Sequence, residues 1–204
     1  MSVIQTINAA LRKVPAWVLY PLSLIIPGWL LYQGIAGNLG PDPVKALEHS
    51  FGERGLQVLV AVLAISPLRN LTGINLIKFR RALGLIGFFY IFLHLLVWLF
   101  LDVGILSQII ADITKRPYII IGMLAFVLMI PLAITSNNWM MRKLRRNWQH
   151  LHKLTYAVVL LGGVHYLMLV KGWQLEPMIY LAIIATLLVL RVGPLKRIRL
   201  IRTR

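Results

Sequence analysis

The sequence predicts an all-α integral membrane protein, a bundle of six transmembrane helices with both termini in the cytoplasm. Three observations carry this. Of the 204 residues, 59% are hydrophobic and the mean hydropathy is +0.78, against about 45–50% apolar residues in soluble domains. The apolar residues gather into six runs, each near the ~20 residues that a helix needs to cross a bilayer. Basic residues crowd into alternate loops between those runs.

The first run, about 15–36, is "PAWVLYPLSLIIPGWLLYQGIA". Arg12 and Lys13 precede it, but Pro21 and Pro27 interrupt it and no small-residue cleavage site follows, so it reads as a retained span rather than a secretory signal. The second, about 54–68, and the sixth, about 177–192, are short, and Arg54 and Arg191 can snorkel from them. The third covers about 82–101, the fourth about 117–135 and the fifth about 153–170. Between the first two, "GPDP" at 40–43 breaks helical structure. Residues 44–50 are expected to form a short interfacial helix. Without repeats, linkers or low-complexity tracts, residues 1–204 read as one membrane domain.

The charges orient the bundle. The N-terminal stretch, the 69–81 and 142–153 loops and the C-terminal tail hold 17 basic residues and no acid. The alternate loops hold five basic residues and all six acids, Asp42, Glu48, Glu53, Asp102, Asp112 and Glu176. The positive-inside rule then puts both termini in the cytoplasm, which an even number of spans satisfies. The net charge of +16 is therefore read as topology and contact with anionic lipid, not nucleic-acid binding. The chain has no cysteine, which excludes disulfides, thiolate metal sites and Fe–S clusters within it. Its serines and acids form no nucleophilic or general-base arrangement, and no glycine-rich phosphate loop is present.

The histidines stand out. His94 lies in the middle of the third run, within "FFYIFLHLLVWLF", with no charged residue within seven positions. An ionisable residue inside the membrane is a functional hypothesis by default; the plainer reading is a hydrogen bond to a neighbouring helix. His152 and His165 are about 20 Å apart along a helix and about 140° apart around it. That spacing suits two sites stacked across the membrane. Third and fifth helices both run outward, and each carries a histidine in its outer half. His94 and His165 can therefore clamp one porphyrin as axial iron ligands, which also removes the cost of a bare polar group in lipid. Gly162, one turn before His165, either lets a flat ligand approach the backbone or packs helix on helix. Arg80 and Arg81 suit a haem propionate or a phosphate, or simply set topology. His150 and His49 read as solvated surface.

Several stretches together resemble the MsrQ family, formerly YedZ. They are "NLGPDPVKALEHSFG", "ISPLRN", "RRALGL", the third-run "LH", "KRPYIIIGM" and "TSNNWMMRKLRRNWQHLHKLTY" followed by "HY" at 165–166. The family is the haem-binding membrane subunit of a bacterial periplasmic methionine sulfoxide reductase. It is related to the ferric reductase and NADPH oxidase transmembrane domains, which pair histidines of the third and fifth helices around two haems. Carried over by position, His94 and His165 match the outer pair and His152 the inner ligand of the fifth helix. The inner position on the third helix falls near Arg80 and is not a histidine. The resemblance implies haem b, with His152 offering a possible second haem, and FMN as a further cofactor. It implies the inner membrane as location, quinol or a flavin reductase as electron donor, and the periplasmic molybdopterin subunit MsrP as acceptor. Substrate catalysis would fall on that partner. The alternatives are a stand-alone ferric or quinone reductase, and a small transporter or assembly factor that uses the histidines as a proton relay.

Overall fold

Caps and prolines set where the helices begin and end. Ser2 and Gln5 close a reciprocal capping box over α1, Val3–Lys13, satisfying two N–H groups that the helix itself leaves open. Asp42 accepts from the Lys45 N–H at 3.1 Å, and Pro43 takes the first helical position, where a missing N–H costs nothing. A computed structural model of the chain describes residues 2–170, 172 and 174–192, and all regular structure among them is helical. Lys171 and the basic residues Lys196, Arg197, Arg199, Arg202 and Arg204 of the expected cytoplasmic tail lie outside the described residues.

After α1 come a 3-10 turn at Ala16–Val18, α2 at Leu19–Ser23 and α3 at Ile25–Ile35. Next are α4, Pro43–Thr72, and α5, Arg80–Val97, which a π-helical turn extends through Trp98–Val103. The remainder is α6, Leu106–Lys115; α7, Pro117–Ile134; α8, Asn138–Leu144; α9, Arg146–Leu151; α10, Leu154–Leu169; and α11, Leu175–Val192. Four stretches are long and apolar enough to cross a membrane: Ala16–Ile35, Pro43–Thr72, Ile77–Val103 and Pro117–Ile134. α10 and α11 occupy the fifth and sixth predicted runs, with 16 and 18 residues.

Some connections differ from expectation. Residues 44–50 are not a separate interfacial helix but the first turns of the 30-residue α4. Once Asp42 and Pro43 have started the helix, nothing before Gly73 stops it; that glycine ends it in the left-handed conformation at φ 82°. The stretch between the third and fourth runs contains α6, and the 142–153 loop folds into α8 and α9.

Packing is organised in pairs. α4 lies along α5 and α7 along α10, while α11 covers α10 and α4. Between two apolar helices in lipid there is little hydrophobic gain, so close contact relies on small residues. Gly55 of α4 faces Ile91 of α5, and Gly87 of α5 faces Leu59 of α4. Leu56, Leu59, Leu63, Met129, Val158, Val159 and Ile184 join the two pairs and α11 in one buried cluster. The outer wall is apolar as well, with Trp17, Trp29 and Ile35 well exposed on the first stretch, as suits a lipid-facing surface. α1 docks on the α4–α5 turn: Asn8 donates to the Gly73 carbonyl at 3.0 Å and accepts from the Asn75 N–H at 2.9 Å.

Candidate cofactor site

α5 and α10 bring His94 and His165 together across the gap between the two helix pairs. Their ring centroids are 6.2 Å apart and the ring planes 79° apart. The Nδ1 of His94 is 2.8 Å from the Glu48 carbonyl oxygen, and the Nδ1 of His165 is 2.7 Å from the Tyr118 carbonyl oxygen. A carbonyl only accepts, so each Nδ1 carries the proton and donates it. Each Nε2 then keeps a free lone pair, the form a metal binds.

Both anchors have one construction. In a helix the carbonyl of residue i points toward residue i+4. Glu48 is followed four residues later by Gly52, and Tyr118 by Gly122. A Cβ at Gly52 would sit 3.0 Å from His94 Nδ1, and one at Gly122 would sit 2.7 Å from His165 Nδ1. Only glycine at these two places lets an imidazole reach the helix carbonyl. An iron between the rings asks for two metal–nitrogen bonds of about 2.0 Å and two ring radii of about 1.1 Å, together roughly 6 Å. The observed separation meets that requirement, so the residues fit a haem held by two axial imidazoles.

His152 is elsewhere, at the C-terminal end of α9. Its ring stacks on Trp148 with centroids 3.9 Å apart, and its Nε2 is 3.0 Å from Thr135 Oγ1. Thr135 is buried, and its hydroxyl donates to the Pro131 carbonyl at 2.6 Å. With that proton committed, His152 Nε2 is the donor to Oγ1, the tautomer opposite to that of the other two histidines. Trp148 Nε1 closes the cluster by donating to the Thr135 carbonyl at 2.9 Å. Burial holds the His152 imidazole below its ordinary pKa. His150 and His49 are exposed.

The two arginines diverge. Arg81 is exposed and donates to Asn138 Oδ1. Arg80 is half-buried and donates to Ser66 Oγ at 3.0 Å. Arg191, from the last turn of α11, donates to the same oxygen at 3.3 Å and to the Val62 carbonyl at 3.2 Å. Like charges within about 6 Å repel by ~3 kcal/mol at an effective dielectric of about 20. Gly162 faces α4, where an added Cβ would meet Leu56 Cδ1 at 3.4 Å. Gly52, Gly122, Thr135 and Ser66 were not singled out from the sequence. The spacing of a glycine four residues after an accepting carbonyl carries a signal only once its histidine partner is known.

Residues 52–163 match the family described as ferric reductase like transmembrane component. The match runs from Gly52 through most of α10, takes in His94 and His152, and stops two residues before His165. Together with the four membrane-length stretches, it defines a multi-pass membrane protein of the ferric reductase-like class. Curated relatives narrow the class. Proteins of Brucella ovis and Brucella canis are each 48% identical over 178 residues, 87% of this chain and 81% of theirs. One from Brucella anthropi is 46% identical over 176 residues, 86% of this chain and 80% of its own. All three bear the name protein-methionine-sulfoxide reductase heme-binding subunit MsrQ, and the chain belongs to the MsrQ family. No solved structure matches it.

Proposed function

We propose that this chain is the haem b electron-transfer subunit of a methionine sulfoxide reductase system. It passes electrons from quinol or reduced flavin across the bacterial inner membrane to a periplasmic molybdopterin partner, MsrP, which reduces oxidised methionine in periplasmic proteins. The observation that carries this reading is the pair His94 and His165, each anchored through Nδ1 with Nε2 left for iron. The names of the relatives support the cofactor and the reductase system. Bound between these ligands, haem supplies one-electron chemistry at iron, with a potential tuned by ligands and burial.

The chain's own residues position and insulate. The Glu48 and Tyr118 carbonyls fix the tautomer and hold each ring, and a donated Nδ1 proton makes Nε2 a stronger base. α4 and α7 wall the site through Gly52 and Gly122. In this reading α10 and α11 complete a six-span bundle with both termini in the cytoplasm, and the 17-to-five distribution of basic residues supports it. His94 and His165 then lie toward the periplasmic side, where the partner docks. Arg80, Arg81 and His152 lie at the electron-entry side, together with an FMN or a second haem.

The test is a pair of single substitutions. His94→Ala and His165→Ala should each lose most of one and the same haem signal, read from the Soret band and the reduced-minus-oxidised spectrum. Normal haem content in both folded variants would overturn the pairing.

A further inference from the structure

α1 buries none of its residues, yet it is held firmly along one side. Asn8 donates to the Gly73 carbonyl at 3.0 Å and accepts from the Asn75 N–H at 2.9 Å. Lys78 Nζ donates to the Arg12 carbonyl at 2.9 Å, and Ile4 lies beside Gly73. These contacts with the α4–α5 turn fix how the helix is rotated about its own axis.

That rotation leaves an apolar face without a partner. At about 100° per residue, Val3, Ile7 and Ala10 fall within about 60° of one another, and Val14, which caps the helix, continues the line. All four are exposed, Val3 at 76%. Gln5 and Arg12 lie on the opposite side. Apolar residues scattered singly over a surface need no explanation, but a continuous stripe does. This stripe does not end in water. Pro15 joins α1 to the membrane-length stretch Ala16–Ile35, whose first turns expose Trp17 and Leu22.

The charges beside the stripe are all of one sign. Arg12 and Lys13 close α1, and Arg69 and Lys78 stand exposed next to it. No acidic residue precedes Asp42, and none lies between Glu53 and Asp102. Cations without carboxylates call for an anionic partner. An anionic lipid surface is the partner that also accepts an apolar stripe, and the stripe already runs into a lipid-facing wall.

We propose that α1 lies in the plane of the lipid interface as a membrane-docking helix. Val3, Ile7, Ala10 and Val14 enter the boundary between headgroups and acyl chains, while Arg12 and Lys13 snorkel to anionic headgroups. Asn8 and Lys78 hold the helix in place beforehand, so little further ordering opposes docking. The inference goes beyond the proposed function and does not rest on haem.

The chain has no cysteine, so a single nitroxide label can be placed without removing any. Full-length protein carrying Val3→Cys or Ile7→Cys is compared with Gln5→Cys on the opposite side, where Ser2 still accepts from the backbone N–H of position 5. Each is labelled and placed one copy per nanodisc, in phosphatidylcholine alone or mixed with phosphatidylglycerol. Electron paramagnetic resonance then compares collisions with oxygen, which concentrates in lipid, and with a water-soluble nickel chelate. In the anionic discs, labels at positions 3 and 7 should meet oxygen and escape nickel, and the label at position 5 should do the reverse. Arg12→Gln should raise the nickel-exposed population at position 7 about fivefold, and adding Lys13→Gln should raise it about 25-fold. Phosphatidylcholine alone should act in the same direction. Exposed Arg142→Gln makes the same change in net charge as Arg12→Gln and should leave that population unchanged. A parent-like thermal midpoint for each labelled protein shows that the fold is intact. Labels at positions 3 and 7 as open to nickel as the one at position 5 would overturn the proposal. Shielding indifferent both to phosphatidylglycerol and to the loss of Arg12 and Lys13 overturns it too. So does shielding that appears only when two copies share a disc, which gives the face to a second copy of the chain.

Discussion

Gly122→Ala should expel or loosen the cofactor without touching a ligand. Its new Cβ would lie 2.7 Å from His165 Nδ1 and 2.8 Å from Cε1. Comfortable contact begins near 3.5 Å, so the ring must retreat by about 0.8 Å. The Nδ1–carbonyl distance to Tyr118, now 2.7 Å, would then exceed the usual limit of about 3.2 Å. Overpacking costs about 1–3 kcal/mol and the lost hydrogen bond about 0.5–1.5 kcal/mol. Replacing a helical glycine by alanine returns about 1 kcal/mol. The net is about 0.5–3.5 kcal/mol, or roughly 2- to 300-fold in haem affinity if it falls on the bound state. Gly52→Ala should act in the same direction but less, because its nearest contact is 3.0 Å, to His94 Nδ1. Gly84→Ala is the control: its Cβ would meet nothing within 4 Å. The assay is the haem-to-protein ratio of each purified variant, with the rate of haem transfer to an apoprotein acceptor. If Gly122→Ala keeps its haem as firmly as Gly84→Ala, the carbonyl-and-glycine anchor is not what holds His165.

Other outcomes follow from the same geometry. Thr135→Val deprives His152 Nε2 and leaves a part-buried donor unsatisfied, so the folded protein should lose about 1 kcal/mol or more; an unchanged thermal midpoint would dissolve the His152–Thr135–Trp148 cluster. Because burial lowers the pKa of His152 below 6.5, its unfolded form binds protons first as pH falls. Its contribution is therefore complete above pH 6.5 and is lost as pH drops through the folded value. His152→Gln should flatten that part of the midpoint–pH curve, and identical curves would discard the assignment. Reporter fusions at Arg204 and near Asn138 should read cytoplasmic, and those near Lys45 and Asp112 periplasmic; a periplasmic signal at Arg204 would end the six-span topology.

Much of the site's composition was legible in the sequence, and its construction was not. His94 is conspicuous because a lone imidazole among twelve apolar and aromatic residues is costly, and His165 because it shares the apolar context on a later run. Hydropathy cannot report what an imidazole bonds to. The partners are main-chain carbonyls of Glu48 and Tyr118, 46 and 47 residues away in sequence, and every residue has such a carbonyl. Gly52 and Gly122 read as ordinary small residues of membrane helices for the same reason. The beginning of α4 is not legible in the sequence because "GPDP" looks like an interruption. In three dimensions the break ends at Asp42, and Pro43 starts the helix instead of stopping it.

By itself, the sequence determined the material: apolar runs of membrane length, basic residues segregated from acids, no cysteine, and histidines placed within apolar segments. These are local and additive properties, readable one window at a time. The tertiary structure decided the relations between distant segments. It set His94 and His165 6.2 Å apart, gave His152 to Thr135 and Trp148 instead, and separated Arg80 from its sequence neighbour Arg81 to join it with Arg191 at Ser66. Adjacent residues on a helix diverge by about 100°, so neighbours in sequence point to different partners. Which partners they meet depends on how helices pack, and that depends on glycines and side-chain shapes from four or five separate elements at once.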